Sequence, residues 1–356
     1  MSASGPAARS RALSVSYLLP LKRSGIEPVD ELAGYLAGLC SVAAEVIVVD
    51  GSPPEVFAHH GRALGDAVRH VPVSGWCPNG KVAGVLTGLA LCRQPGVVIA
   101  DDDVRYDKAS LTAVLAALDD VDVVVPQNYF SPLPWHARWD TARTLLNRAV
   151  ASDYPGTLAV RREVLARSRG YCGAVLFENL ELLRTVHAAG GWVSERPDLF
   201  VARLPPSAAG FGSQRVRQAY DSLAQPARLL LELALLPAVV TGVLGRRWRG
   251  LFAGGVAVML LAERGRRRDA GRRVFPATSA LWAPAWLTER AVCSWLALGS
   301  RLRGGAPYAG SRLRTAAHPA SQLRAASRGE RALPCPERVC VCTARRGGQP
   351  VDGGAR

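Results

Sequence analysis

The sequence predicts an α/β protein with a mostly parallel central sheet, followed by C-terminal membrane-associated helices. Three features of this chain of 356 residues support the prediction. Short β-branched runs alternate with segments of helical spacing up to Val125, as in βαβ units around a buried parallel sheet. Two of these runs end in aspartate residues. After Pro226 the composition changes to long apolar segments separated by arginine clusters.

The predicted elements of the first half follow one another in a regular order. Val15–Leu19 is an apolar strand that Pro20 stops, and Val29–Val42 has the leucine spacing of a helix. Glu45–Val49 is a strand that leads into a turn at Asp50. Further strands are predicted at Val71–Val73, Val97–Ala100 and Val121–Val125, and helices at Lys81–Cys92 and Ala109–Leu118. Ligands bind beyond the carboxyl ends of such strands, which is where the aspartates lie.

Composition divides the rest of the chain. The region after Pro126 is less regular and contains two predicted helices, Arg138–Val150 and Leu180–Ala189. From Gly299 onward Gly, Arg, Ser and Pro dominate, a composition typical of disorder. We therefore expect a disordered N-terminus at residues 1–12, a catalytic domain at 13–226, membrane-embedded or interfacial helices at 227–298, and a basic, largely disordered tail at 299–356.

The net charge of +15 is unevenly distributed along the chain. Residues 1–226 carry 22 basic and 22 acidic side chains, whereas residues 227–356 carry 22 basic and 7 acidic ones. A balanced front half does not supply the electropositive groove that nucleic-acid binding requires, so we expect no nucleic-acid partner. The basic and partly apolar back half is instead typical of contact with an anionic lipid surface.

Two apolar segments of the back half are candidates for membrane contact. As a helix, Leu229–Leu244 would span about 24 Å, which is marginal for a hydrocarbon core of about 30 Å, and Gly250–Ala262 is shorter. If both crossed, the intervening arginines, Arg246–Arg249, would lie opposite the catalytic body, against the positive-inside rule. Embedded or interfacial helices are therefore preferred, and a pair of buried core helices is the alternative.

Three adjacent carboxylates, Asp101, Asp102 and Asp103, follow the strand Val97–Ala100. Like charges at this spacing repel one another unless a cation lies among them. Alternate side chains of an extended segment point the same way, so Asp101 and Asp103 can share a divalent ion while Asp102 faces elsewhere. Oxygen ligands of this kind suit Mg²⁺ or Mn²⁺, and a solvated acidic turn is the alternative.

The order of motifs around this triplet resembles the nucleotide-binding half of family-2 glycosyltransferases, which have a GT-A fold with a Rossmann-like nucleotide-binding domain. The motifs are VSYLLPLKR, EVIVVDGSP, NGKVAGVLTGLALC and GVVIADDDVRYD. The resemblance implies that Asp50 contacts the nucleobase, and that Asp101 and Asp103 hold the metal against the diphosphate of a nucleotide-sugar donor. The further donor contacts that it implies in this region are Pro20, Asn79, Lys81 and Asp102.

Downstream, GTLAVRREVL and LFENLELLRTVHAAGGW resemble the acceptor side of the same family, where a Glu-Asp pair precedes a helix. In the family, the Asp of that pair is usually the general base that deprotonates the acceptor hydroxyl. Here the pair is Glu178-Asn179, and an amide cannot accept the proton. Glu178 is therefore the preferred base, with Glu181 on the same helical face as its substitute. An acidic cap at the start of the helix is the alternative.

The segment GFGSQRVRQAYDSL resembles the Gln-x-x-Arg-Trp motif that family members acting at membranes carry just before their membrane helices. Gln214 and Arg217 match this motif, Gln218 replaces the Trp, and Tyr220 is a candidate for the missing aromatic face. Gln214, Arg215 and Arg217 are assigned to the donor, because a guanidinium matches the geometry of phosphate oxygens. A basic stretch at the lipid surface is the alternative.

The resemblance as a whole implies a membrane-associated inverting glycosyltransferase of the hexosyltransferase class. Its partners would be a nucleotide-sugar donor and a lipid, lipid-linked or polysaccharide acceptor. Two C-terminal segments, WAPAWLTERAVCSW and GGAPYAG, distantly resemble ceramide-glucosyltransferase-like enzymes. Because nucleotide sugars are cytoplasmic, we expect the protein at the cell membrane with its catalytic domain facing the cytoplasm. A nucleotidyltransferase with a similar α/β body and a non-catalytic membrane-binding protein are the alternatives.

Overall fold

The computed structural model describes residues 12–153, 155–168 and 170–330, and its centre is an eight-stranded sheet. The strands are β1 Leu13–Leu21, β2 Ala43–Asp50, β3 Arg69–Pro72, β4 Gly96–Ala100, β5 Val104–Arg105, β6 Val123–Phe130, β7 Thr157–Arg161 and β8 Val193–Arg203. Their order across the sheet is β3-β2-β1-β4-β7-β6-β8-β5. Four neighbouring pairs are parallel, and the antiparallel pairs all involve β7 or β5. The predicted α/β class with a mostly parallel sheet is confirmed.

Helices on both faces of the sheet explain why its central strands β1, β2 and β4 are mostly apolar and buried. The helices up to residue 188 are α1 Asp30–Leu39, α2 Pro54–Leu64, α3 Gly80–Leu91, α4 Lys108–Leu118, α5 Trp135–Val150, α6 Arg162–Arg167 and α7 Glu178–Ala188. On one face, Leu36 of α1 packs in the same buried cluster as Tyr17 of β1. On the other face, Val85 of α3 shares a cluster with Leu18 of β1. Successive residues of β1 thus enter opposite cores.

The register of the parallel strands brings the predicted donor residues to one edge of the sheet. Asp50 of β2 lies opposite Leu21 of β1, and Ile99 of β4 lies opposite Leu18 of β1. The three aspartates Asp101–Asp103, which follow β4 and are called the acidic turn, are therefore two strands away from Asp50 at the carboxyl edge. This separation corresponds to roughly 10 Å. The loop after β1 joins the two places, because Arg23 donates its backbone N–H to Ser52 Oγ, and its guanidinium lies 3.7 Å from Asp102.

The helices that follow this body are α8 Ala208–Ala219, α9 Pro226–Leu244, α10 Trp248–Arg267 and α11 Ala283–Leu302. α10 and α11 pack against α5, where Leu145, Ala262 and Trp286 belong to one buried cluster. Within the described residues, α9 is the one helix long and apolar enough to cross a membrane, with a mean hydropathy of 1.9. Only 11% of the apolar stretch of α9 is buried in the fold, so the alternative of a buried core helix is wrong for α9.

The tail is folded well beyond residue 299, so the predicted start of disorder is wrong. Two short strands, β9 Ala306–Tyr308 and β10 Ser311–Leu313, form a hairpin, and α12 spans Ala320–Ser327. Leu313 is buried in a cluster with Leu176 and Tyr220, which gives this Gly- and Arg-rich segment an apolar anchor on the body. The expected disorder of residues 1–11 and 331–356 lies outside the described residues.

Candidate active site at the carboxyl edge of the sheet

Lys81 joins three distant parts of the sequence at the carboxyl edge of the sheet. Asn79 is the N-cap of α3, and its Oδ1 accepts the backbone N–H of Lys81. The Lys81 ammonium lies 2.5 Å from Asp101 Oδ1 and 2.6 Å from Glu178 Oε1. Burial alone would lower the pKa of Lys81, but the two carboxylates outweigh it and raise that pKa. The structure therefore brings together Lys81, Asp101 and Glu178, three residues that the sequence analysis selected.

A second cation, Arg203 at the end of β8, contacts the acidic turn from the other side. Its Nε lies 2.7 Å from Asp103 Oδ2, and its Nη2 lies 3.4 Å from Asp101 Oδ2. Burial favours the neutral form of both carboxyls, but Lys81 and Arg203 outweigh it at Asp101 and lower its pKa. At Asp103 burial prevails, and the pKa is raised despite Arg203. The negative charge of Asp103 is therefore less fully compensated by nearby cations than that of Asp101.

The acidic turn fits a hard divalent cation. The Oδ1 atom of Asp103 is buried and has no hydrogen-bond partner among the described residues. Oxygen donors suit Mg²⁺ and Mn²⁺, and Mg²⁺ is commonly held by one or two carboxylates with substrate phosphates and water as the other ligands. No cluster of three or more His, Cys, Asp and Glu residues suited to a metal occurs in the described part of the chain. Asp101 and Asp103 would therefore need further oxygen ligands from a phosphorylated substrate.

Glu178 stands in the first turn of α7 and faces Lys81. Its Oε1 is bound by Lys81, while its Oε2 lies 3.5 Å from Asn79 Nδ2, at the limit of a hydrogen bond. This placement agrees with the predicted base and with an acidic residue near a helix N-terminus. One carboxylate oxygen is therefore held in position while the other keeps capacity to accept a proton.

Glu181 does not reach the site, so its assignment as the substitute base is wrong. The side chain is fully buried and points to the folded tail. Its Oε2 accepts the backbone N–H of His318 at 2.8 Å, and its Oε1 lies 2.7 Å from His318 Nδ1. Both carboxylate oxygens are thus used to attach the tail to α7.

Asn79 and Asp50 are buried, and neither offers a free polar group to a donor. The Asn79 amide donates to the carbonyl of Val175, and its oxygen accepts from the Tyr308 hydroxyl at 2.8 Å. The Oδ2 atom of Asp50 lies 2.7 Å from His60 Nδ1 and 3.1 Å from His70 Nε2, and Oδ1 accepts the N–H of Ser52. Direct donor contact is therefore wrong for Asn79 and for Asp50, which organise the walls of the site instead.

The three predicted donor residues of α8 differ in exposure, two being exposed and one, Arg215, being mostly buried. Gln214 and Arg217 are exposed on one face of the helix, and the Arg217 guanidinium lies 5.1 Å above the ring of Tyr308. Arg215 is held by both oxygens of Asp140, at 2.7 Å and 3.0 Å, which ties α8 to α5. The assignment of Arg215 to the donor is therefore wrong, because its guanidinium is already occupied inside the fold.

The other predicted residues lie around the edge of the site. Pro20 is half-buried in β1 and packs against α3 at Gly84, where a Cβ atom would come within 3.0 Å of it. Asp102 keeps 45% of its side chain exposed, beside Arg23. Tyr220 is fully buried, and its hydroxyl donates to the carbonyl of Arg314, so it does not supply the missing aromatic face.

Two residues near the site, Arg203 and Tyr308, were missed by the sequence analysis. Arg203 ends β8, a strand of mixed polarity. The one sequence feature that could have indicated this strand is its short apolar run shortly before Pro205. Tyr308 stands in a tail whose composition predicted disorder. There, glycines at 304, 305 and 310 adopt positive φ, the first two just before β9 and the third in the turn between β9 and β10. Tyr308 provides the aromatic contact beside Arg217 for which Tyr220 was the candidate.

No family model and no curated protein matches this chain. A solved mannosyltransferase from Pyrobaculum calidifontis, in complex with GDP-Man and Mn²⁺, is 18% identical over 81% of this chain and 88% of that chain, with a TM-score of 0.47. Glucosyl-3-phosphoglycerate synthase from Mycobacterium tuberculosis, in complex with Mn²⁺, UDP and phosphoglyceric acid, is 18% identical over 61% of this chain and 77% of that chain, with a TM-score of 0.39. These neighbours are GT-A-type glycosyltransferases.

Proposed function

We propose that this chain is an inverting glycosyltransferase of family-2 type that transfers a hexose from a nucleotide-sugar donor to an acceptor at a membrane. The observation that carries the proposal is the junction of Lys81, Asp101 and Glu178 at the carboxyl edge of a mostly parallel sheet. This edge is where nucleotides bind in such sheets. Lys81 thereby connects a carboxylate suited to the donor side with a carboxylate suited to the acceptor side.

On the donor side, the residues of the site stabilise a diphosphate leaving group. Asp101 and Asp103 would hold Mg²⁺ or Mn²⁺, which supplies positive charge to the diphosphate oxygens. Lys81 is held in place before the reaction by two carboxylates, and Arg217 is exposed beside Tyr308. Cations that are fixed where negative charge develops lower the barrier without reorganising during the reaction.

On the acceptor side, Glu178 is the proposed general base. Its Oε1 is held by Lys81 and its Oε2 is not bound closely, so Oε2 is the atom that would take the proton of an acceptor hydroxyl. The resulting oxygen nucleophile attacks the anomeric carbon from the face opposite the diphosphate. The bond to the diphosphate breaks as the new glycosidic bond forms, which inverts the configuration.

The exposed surface of α9 and α10 supports a lipid or lipid-linked acceptor. Leu244, Phe252 and Leu260 are 78%, 75% and 65% exposed. Arg246 and Arg249 are exposed in the loop between the two helices and in the first turn of α10. Apolar side chains next to arginines suit the interface of an anionic bilayer. We propose that this surface holds the protein at the cell membrane with the catalytic body on the cytoplasmic side, where nucleotide sugars are made.

Product analysis of the full chain tests the proposed reaction. The protein is incubated with a panel of nucleotide sugars, Mn²⁺ and a membrane lipid extract, and products are identified by mass spectrometry. Glu178→Gln should retain donor binding and lose turnover by roughly 10²- to 10⁴-fold. Glu163→Gln is the matched control, because Glu163 is an exposed acidic residue in the first turn of α6.

Two outcomes would refute the proposal. Formation of a nucleotidylated product with release of a sugar 1-phosphate, in place of a nucleoside diphosphate, would identify nucleotidyl transfer. Absence of glycosylated product together with absence of any nucleotide-dependent thermal shift would indicate a non-catalytic membrane-binding protein. Unchanged turnover in Glu178→Gln, with glycosylated product still formed, would remove the base assignment and leave the reaction class standing.

A further inference from the structure

Arg203 makes the most direct cationic contact with the acidic turn after Lys81, and no step proposed above uses it. Its backbone lies between two strands, because it is opposite Val104 of β5 and Phe130 of β6. Its guanidinium reaches across the end of β8 to Asp103 Oδ2 at 2.7 Å and to Asp101 Oδ2 at 3.4 Å. These are the two carboxylates that would hold a divalent ion.

The position of this guanidinium is prepared by its surroundings. A Cβ atom on Gly156 would lie 2.9 Å from Arg203 Nη1 and 3.1 Å from Cζ, so the absence of a side chain there leaves space for the cation. The Gly156 N–H donates to Asn128 Oδ1, and its carbonyl accepts the N–H of Asp101. The segment that makes room for Arg203 is therefore bonded to the acidic turn itself.

The charges around Asp101 and Asp103 give the guanidinium of Arg203 a role at this position. Three carboxylates, on Asp101, Asp103 and Glu178, face two cations, on Lys81 and Arg203. A divalent ion beside Asp103 Oδ1 would bring the local sum to one positive charge and would lie close to the guanidinium. That repulsion is relieved when an anionic diphosphate enters with the ion.

We propose that Arg203 is a resident counter-cation that competes with the divalent ion for Asp101 and Asp103. In this way the ion binds strongly only together with a nucleoside diphosphate. The inference rests on the proposed function for the identity of the phosphorylated ligand. It deepens that function by making donor and metal binding interdependent, a coupling that must be reciprocal. Free metal would not occupy the site ahead of the donor.

Titration of Mn²⁺ into the full chain, followed by calorimetry with and without UDP or GDP, tests this competition. In Arg203→Gln, the apparent Kd for Mn²⁺ without nucleotide should fall on the order of tenfold, because a positive charge next to the site is gone. The factor by which the nucleotide tightens Mn²⁺ binding should shrink accordingly. Arg203→Lys keeps the charge and should stay closer to the wild type. Circular dichroism and urea midpoints confirm that each variant is folded.

Arg196→Gln is the matched control, because Arg196 lies on the same strand and pairs with Asp198 at the surface. Its Mn²⁺ affinity should equal that of the wild type. If Arg203→Gln is folded and binds free Mn²⁺ no more tightly than the wild type, the competition is overturned. If Arg203→Gln does not fold, Gly156→Ala displaces the same guanidinium, and unaltered Mn²⁺ affinity in that variant would also overturn the competition. Product formation in the glycosyl transfer assay is read independently, so either proposal can fail alone.

Discussion

Replacing His318 with Ala tests whether the folded tail is an integral part of the α/β body. Glu181 is fully buried, and the imidazole Nδ1 lies 2.7 Å from its Oε1. The variant removes this partner and leaves the backbone N–H of residue 318 as the remaining donor to Oε2. Breaking one side of a buried ion pair costs about 3–5 kcal/mol, and the retained donor places the expected loss near the lower end, at about 3 kcal/mol.

The size of this loss should depend on pH. Burial alone would lower the pKa of His318, but the hydrogen bond and the charge of Glu181 outweigh it and raise that pKa above its usual value of about 6.5. A raised pKa in the folded state means that the stabilisation is complete below the unfolded pKa and is lost as the pH rises through the folded pKa. The difference between wild type and His318→Ala should therefore be largest at about pH 6 and smaller above the folded pKa.

Urea unfolding at several pH values measures the global loss, and hydrogen exchange at residues 315–318 detects local detachment of the tail. Arg328→Gln is the control, because its ion pair with Glu330 lies on the exposed end of the same tail and should leave the urea midpoint unchanged. Equal stability and equal exchange for His318→Ala and wild type at pH 6 would refute the reasoning. Loss of turnover in Glu181→Gln without loss of stability would likewise return Glu181 to a catalytic role.

Three further perturbations address other parts of the molecule. Lys81→Met should lower kcat/KM by roughly 10²- to 10³-fold, with Lys108→Met as the exposed control in steady-state assays. Burial alone would raise the pKa of Asp50, but hydrogen bonds from His70, Ser52 and His60 outweigh it and lower that pKa. The ionised Asp50 therefore stabilises the fold fully above about pH 4, and this stabilisation is lost as the pH falls through the lower folded pKa. Asp50→Asn should accordingly reduce the fall of the urea midpoint at acidic pH. Phe252→Ser should lower the affinity for anionic vesicles, measured by co-sedimentation, by on the order of tenfold. Ile26 is exposed on the α/β body, so Ile26→Ser should leave this affinity unchanged.

The first half of the fold was predictable because its strands are buried on both faces. β4 is an uninterrupted apolar run and β1 and β2 are mostly apolar, and the ends of β2 and β4 at Asp50 and at the acidic turn gave the correct edge of the sheet. The register then places these ends two strands apart. Lys81, Asp101 and Glu178 could be selected from motifs because the motif order reflects this topology.

The partners that bury or neutralise those residues were not predictable from local sequence. β8 begins with a polar and charged stretch that contains Pro197 and ends in a short apolar run, so the strand and Arg203 at its end gave no alternating signal. His60 and His70 lie 10 and 20 residues from Asp50 on a helix and a strand, and only the tertiary fold brings both to one oxygen atom. Contacts of this kind decide whether a carboxylate is free for a ligand, and composition or spacing does not report them.

The folded tail is a second case in which tertiary contacts were not predictable from local sequence. It also determines how the proposed membrane contact of α9 and α10 should be tested. Its low hydrophobicity predicted disorder, yet it folds because the body offers a buried carboxylate at Glu181 and an acceptor at Asn79 for Tyr308. Removing all residues after 226 would therefore uncover Glu181 and release Asn79, so that lost membrane binding would be inseparable from unfolding. Point substitutions such as Phe252→Ser avoid this problem, because the Phe252 side chain is 75% exposed and its removal leaves the contacts of the tail in place.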